Sequence, residues 1–113
     1  MSRDVGTRDT LRRLWERARD EAGTLEADLR SLFEASRSSN ADDEHDPEGT
    51  TIAYERAQLT AVLDATRRRI GELEVAMQRL DAGGYGVCEQ CGRPIPAARL
   101  EARPTARTCV GCT

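Results

Sequence analysis

The sequence contains no lysine; all 17 of its basic residues are arginine. That bias is of the kind a GC-rich genome imposes, and it excludes no function. Aromatic residues are nearly as scarce, at 4% of 113 residues, which excludes a large globular core. No apolar run reaches membrane-spanning length, and Met1-Ser2-Arg3-Asp4 does not begin a signal peptide. A cytoplasmic protein with no membrane partner is therefore expected. A surplus of positive charge is missing too: the net charge of −3 argues against coating nucleic acid. The only histidine is His45, which reads as a solvated loop residue. Without a Ser/His/Asp set or a phosphate-cradling glycine loop, the chain is not expected to be an enzyme.

What is present is charge and helical period. Charged residues make up 33% of a chain one domain long, a mixture that suits exposed helices with a narrow apolar stripe. Residues 1–6 carry no pattern and are expected to fray. From Thr7 to about Ser36, Leu11, Leu14, Ala18, Ala22, Leu25, Leu29 and Leu32 recur by threes and fours. They draw one face of a helix, widened by Trp15 and Phe33, with Thr7 or Asp9 as its cap. Gly23 inside this run costs about 1 kcal/mol against alanine. Ser36 to His45 loses the period and reads as a connector.

Asp46 as N-cap and Pro47 as first helical residue then start a second helix. Its stripe runs Leu59, Leu63, Thr66, Ile70, Leu73, Met77 and Leu80, with Ile52 one heptad earlier, and Gly83-Gly84 stops it. Two single-stripe helices on a short connector fold back antiparallel and bury each other's stripe, bringing Leu29 near Leu59, Leu25 near Leu63 and Leu11 near Met77. The expected architecture is mainly α: an antiparallel coiled-coil hairpin over residues 1–82 with its tip near 37–49, and a small zinc finger over 83–113. Because each stripe is satisfied within one hairpin, a monomer is expected.

The finger rests on Cys88, Cys91, Cys109 and Cys112, spaced C-x2-C-x17-C-x2-C. Two cysteines three apart on a tight turn point both sulfurs at one ion, and a second such turn completes a tetrahedron. Four thiolates leave no open position, so one structural Zn2+ is expected; a redox dithiol pair or an iron centre is the alternative. Gly92 and Gly111 are expected to relieve crowding where amides bend around sulfur. Arg93, Arg99, Arg103 and Arg107 offer positive charge against four thiolates, or are ordinary surface arginines. Val87, Ile95, Leu100 and Val110 are too few to form a core, so metal binding is expected to fold this segment.

The run Gly84-Tyr85-Gly86-Val87-Cys88-Glu89-Gln90-Cys91-Gly92, the stretch Arg99 to Ala106 and the closing Cys109-Val110-Gly111-Cys112 resemble the DksA/TraR zinc-finger family. The hairpin matches in order, so the resemblance covers nearly the whole chain. It implies a transcription regulator that binds RNA polymerase, inserting an acidic coiled-coil tip into the secondary channel, with no direct promoter DNA binding. The tip here holds Asp42, Asp43, Glu44, Asp46 and Glu48, five carboxylates in seven residues. Such a cluster suits a catalytic magnesium or basic enzyme residues. The family's tip has an Asp, a second Asp three residues on and an Ala two beyond. With Asp46 first, those positions hold Gly49 and Thr51, and a one-residue shift offers Glu48 instead. Asp46 also reads as a plain helix cap. Arg103 resembles a family position associated with guanosine tetraphosphate at the polymerase interface. Longer family members add a helix beyond the last cysteine, where this sequence ends at Thr113. The alternative function is a zinc-finger adaptor for nucleic acid or protein, without polymerase activity.

Overall fold

A computed structural model describes the backbone of residues 2–39 and 47–113, and the side chains of residues 5–37 and 50–113. Two long helices dominate: α1 at Ser2–Ser39 and α2 at Pro47–Ala82. A short helix α3 follows at Ala97–Ala102, with a 3-10 turn at Val110–Cys112. The long pair forms the expected hairpin. Its chain divides into two compact units, one of Met1–Glu16 with Ile70–Thr113 and one of Arg17–Arg69.

Among the described residues of the first unit, the buried side chains are Leu11, Leu73, Ala76, Cys88 and Ile95, with Leu11 entirely shielded from solvent. The flanks of this core carry cross-helix pairs. Arg8 on α1 bonds Asp81 on α2, and the Trp15 indole N–H donates to Glu74 at 3.1 Å. As the first partner's number rises, the second falls, which fixes an antiparallel register. These pairs are exposed, each contributing a few tenths of a kcal/mol, and they align the helices more than they stabilise them.

In the second unit Ala18, Ala22, Leu63 and Thr66 are buried. Thr66 occupies a seam position, and its hydroxyl is satisfied by donating to the Val62 carbonyl at 2.8 Å. Arg69 donates to Glu21 at 2.6 Å and Arg67 lies 3.7 Å from Glu26, again antiparallel. A shallow cavity of about 440 Å³ lies here, with Leu25, Val62 and Thr66 in its wall.

Three expectations need correction. Helix α1 begins at Ser2 rather than near Thr7, so Thr7 and Asp9 lie inside it and cap nothing. The Thr10 hydroxyl likewise bonds back to the Gly6 carbonyl at 3.0 Å. Val5 and Gly6 are exposed, so this turn leaves no apolar period although nothing in it breaks a helix. Phe33 does not widen the buried stripe: it is 51% exposed, and the Arg56 guanidinium covers its ring at 4.9 Å. Ala76, outside the expected stripe, is buried. Among the described residues, no helix is long and apolar enough to cross a membrane.

Candidate metal centre

Helix α2 ends on glycine. Gly83 adopts φ +86°, and its N–H donates to Leu80 O at 3.2 Å while Gly84 N–H reaches Arg79 O at 2.8 Å. These two bonds make a Schellman stop, which satisfies carbonyls that the helix leaves open. The stop turns the chain into a narrow loop. Ile95 N–H donates to Gly86 O at 2.7 Å and Cys88 N–H to Arg93 O at 2.8 Å, with a single bridge between Val87 and Pro94.

Inside this loop lies the first cysteine turn. Gly92 has φ +73° and donates to Cys88 O at 3.0 Å, so the turn reverses at a residue without Cβ, as expected. Gly111 does not do the same. It sits in the 3-10 turn without positive φ; besides Gly83 and Gly92, the left-handed glycine of the finger is Gly86, at +82°. The second cysteine turn closes by Cys112 N–H to Cys109 O at 3.1 Å. Its entry is held by Arg99, whose Nε donates to Thr108 O at 2.9 Å. Glu89 N–H donates to Arg107 O at 2.9 Å and ties the first turn to the approach of the second.

The result is a cluster. The sulfurs of Cys88, Cys91, Cys109 and Cys112 all lie within 4.8 Å of one another, and Cys91 Sγ is 3.8 Å from Cys109 Sγ. A zinc ion bound at about 2.3 Å to four sulfurs spaces them about 3.8 Å apart, so the cluster has the size the ion requires. Cys88 is buried, Cys109 and Cys112 are half-buried, and Cys91 is exposed. The environment splits their acidities. The backbone N–H of Cys91, and after it that of Cys109, hold the Cys88 thiol down to about 6 against the effect of burial. Hydrogen bonding with the Cys109 thiol, then with Cys88 and Cys91, pushes Cys112 up to about 12. Four adjacent thiols cannot all ionise alone; a dication at their centre reverses that preference.

The other site residues fare differently. Asp42, Asp43, His45 and Asp46 lie outside the described residues; Glu48 is in the first turn of α2, with its side chain outside them. Arg103 follows α3, its N–H donating to Arg99 O at 2.7 Å, and is exposed. Sequence reasoning passed over Tyr85, Arg79 and Glu89, all of which hold the finger in place. Tyr85 Oη donates to Pro104 O at 2.7 Å. Arg79 Nη2 donates to Gly84 O at 2.9 Å and Val87 O at 2.7 Å. Only the glycine-rich turn after α2 hinted that carbonyls would stand open for such partners.

Residues 83–112 match the family model of the prokaryotic dksA/traR C4-type zinc finger. This segment is similar to the finger of the DksA/TraR family. Relatives of the chain include the RNA polymerase-binding transcription factor DksA of Caulobacter vibrioides, 46% identical over 52 residues, covering 46% of this chain and 37% of that one. General stress protein 16O of Bacillus subtilis is 39% identical over 72 residues, covering 64% of this chain and 44% of that one. The matched segments thus span less than half the length of these curated relatives. The solved structure of transcription factor DksA2 from Pseudomonas aeruginosa superposes with a TM-score of 0.84, covering 99% of this chain and 81% of that one. At 24% identity that likeness establishes the shared fold. In a DksA/TraR finger of the C4 type, the four clustered cysteines suit one structural zinc.

Proposed function

We propose that this protein is a transcription regulator that binds RNA polymerase and carries no catalytic activity of its own. Cys88, Cys91, Cys109 and Cys112 are the four ligands of one structural zinc, which leaves no coordination site for a substrate. The finger of residues 83–113 anchors the hairpin of residues 1–82. The acidic tip, with Asp42, Asp43, Asp46 and Glu48, enters the secondary channel of the polymerase. Arg103, exposed after α3, faces the enzyme or guanosine tetraphosphate bound at that interface. The protein acts as a monomer in the cytoplasm.

The observation that carries this reading is the four-sulfur cluster within a segment matching the DksA/TraR finger. Its support is the likeness to the Caulobacter relative, an RNA polymerase-binding transcription factor. The acidity of residues 42–48 adds to it, since carboxylates suit magnesium and basic surfaces.

Affinity capture of core RNA polymerase by the zinc-loaded protein at low salt tests the reading. Capture is expected, and Asp46→Asn with Glu48→Gln is expected to weaken it, as is removal of guanosine tetraphosphate contacts by Arg103→Ala when that nucleotide is present. Absence of capture at low salt overturns the proposal. A gel shift on DNA or RNA that persists at physiological salt would favour the adaptor function instead.

A further inference from the structure

Arg79 occupies the last turn of α2, three residues before the helix ends, and its side chain is only 16% exposed. Its guanidinium reaches into the finger. Nη2 holds Gly84 O and Val87 O, the latter immediately before Cys88, and Nε lies 3.8 Å from Glu89 Oε1. The same Glu89 oxygen accepts from Arg107 Nε at 2.9 Å, and the Glu89 N–H donates to Arg107 O at 2.9 Å. Glu89 stands between Cys88 and Cys91; Arg107 stands two residues before Cys109. One carboxylate therefore joins three segments: the end of α2, the first cysteine turn and the approach to the second.

We infer that Arg79, Glu89 and Arg107 form a clasp that preorganises both cysteine turns for zinc and couples the occupied site to the end of α2. The inference rests on the proposed zinc ligation but not on polymerase binding. Its physical basis is the cost of ordering. The two pairs of sulfurs come from turns 17 residues apart, and an ion must hold both turns in one geometry. Every bond that already holds them lowers the ordering left for the metal to impose. The bonds suit the task. Arg79 directs Nη2 at two carbonyls while Nε lies toward Glu89, a fixed planar array of donors that the single nitrogen of a lysine cannot reproduce. Glu89 uses its side chain and its backbone on the same residue, so its rotation is restricted at both ends.

Ordinary surface ion pairing makes a different prediction. It would add slightly to stability with and without metal, leaving zinc affinity untouched. Coupling has to be reciprocal: if zinc orders the clasp, breaking the clasp weakens zinc. The amides of Gly84 and Tyr85, which both donate to Arg79 O, report on that link at the helix end.

The experiment measures zinc affinity by competition with a chromophoric chelator, on the full-length protein, for wild type, Glu89→Ala, Glu89→Gln, Arg79→Lys and the distant control Glu21→Ala. Amide exchange at Gly84 and Tyr85 is followed with and without zinc. Wild type is expected to bind one zinc per chain; failure to do so overturns the zinc reading and this inference with it, whatever the polymerase experiment shows. Glu89→Ala is expected to lose affinity by about tenfold or more. Glu89→Gln, which still accepts from Arg107, falls between Glu89→Ala and wild type, and Glu21→Ala keeps full affinity. Arg79→Lys is expected to reduce both affinity and the protection that zinc confers on the two amides. Wild-type affinity in both Glu89→Ala and Arg79→Lys overturns the clasp.

Discussion

Tyr85 and Pro104 are joined by a hydrogen bond of 2.7 Å from the phenolic hydroxyl to the carbonyl, across 19 residues of the finger. The bond ties the approach to the first cysteine turn to the segment leading into the second, so it limits how far the two turns can separate. Burial raises the Tyr85 phenol above its usual range, with the Arg79 guanidinium pulling the other way. Replacing Tyr85 by Phe removes the donor and is expected to cost about 1 kcal/mol in urea unfolding of the zinc-loaded protein.

The same residue gives a pH signature. A phenol whose folded pKa is raised stabilises the fold fully below its unfolded value of about 10 and loses that contribution as pH rises through the folded value. Stability of the zinc-loaded wild type is therefore expected to decline above about pH 10, and Tyr85→Phe is expected to lack this component. Matching alkaline profiles for the two proteins would contradict the assignment.

Glycine positions separate in the same assay. Gly83 and Gly92 have φ of +86° and +73°, where a side chain is strained whatever the space around it. Alanine at either is expected to cost about 1–2 kcal/mol. Gly111 has no positive φ, and a Cβ there would meet nothing within 4 Å, so Gly111→Ala is expected to be near neutral. Equal losses at Gly92 and Gly111 would restore the symmetrical role that spacing alone suggests for them.

Residues whose role is periodic were legible in the sequence. The steps from Leu59 to Leu80 located the α2 seam, Pro47 and Gly83 bracket that helix as observed, and cysteine spacing located the sulfur cluster. The first turns of α1 were not legible, because exposed residues such as Val5 and Gly6 bury nothing and so leave no period. The six residues of α3 are too few to show one. Arg79 was invisible for another reason. Its partners are main-chain carbonyls placed by the turn after α2, and no side-chain pattern encodes where those carbonyls point.

Core mutations should separate the buried stripe from its exposed edge. Leu11 is fully shielded, whereas Phe33 is half exposed beneath Arg56. Leu11→Ala leaves a cavity and is expected to cost about 2–5 kcal/mol. Phe33→Ala loses a solvent-exposed cation–π contact and is expected to cost about 1 kcal/mol or less. Urea midpoints at constant slope measure both, and a larger loss at Phe33 would place it in the core after all.

Metal removal should act unequally along the chain. Among the described residues of Arg17–Arg69, those buried are Ala18, Ala22, Leu63 and Thr66, with no cysteine among them. The finger instead buries only Cys88 and Ile95, so its order depends on the ion. A strong chelator is expected to abolish amide protection from Cys88 to Cys112 while protection near Leu63 persists. Loss of protection near Leu63 together with the finger would mean that the ion holds the hairpin as well as its own segment.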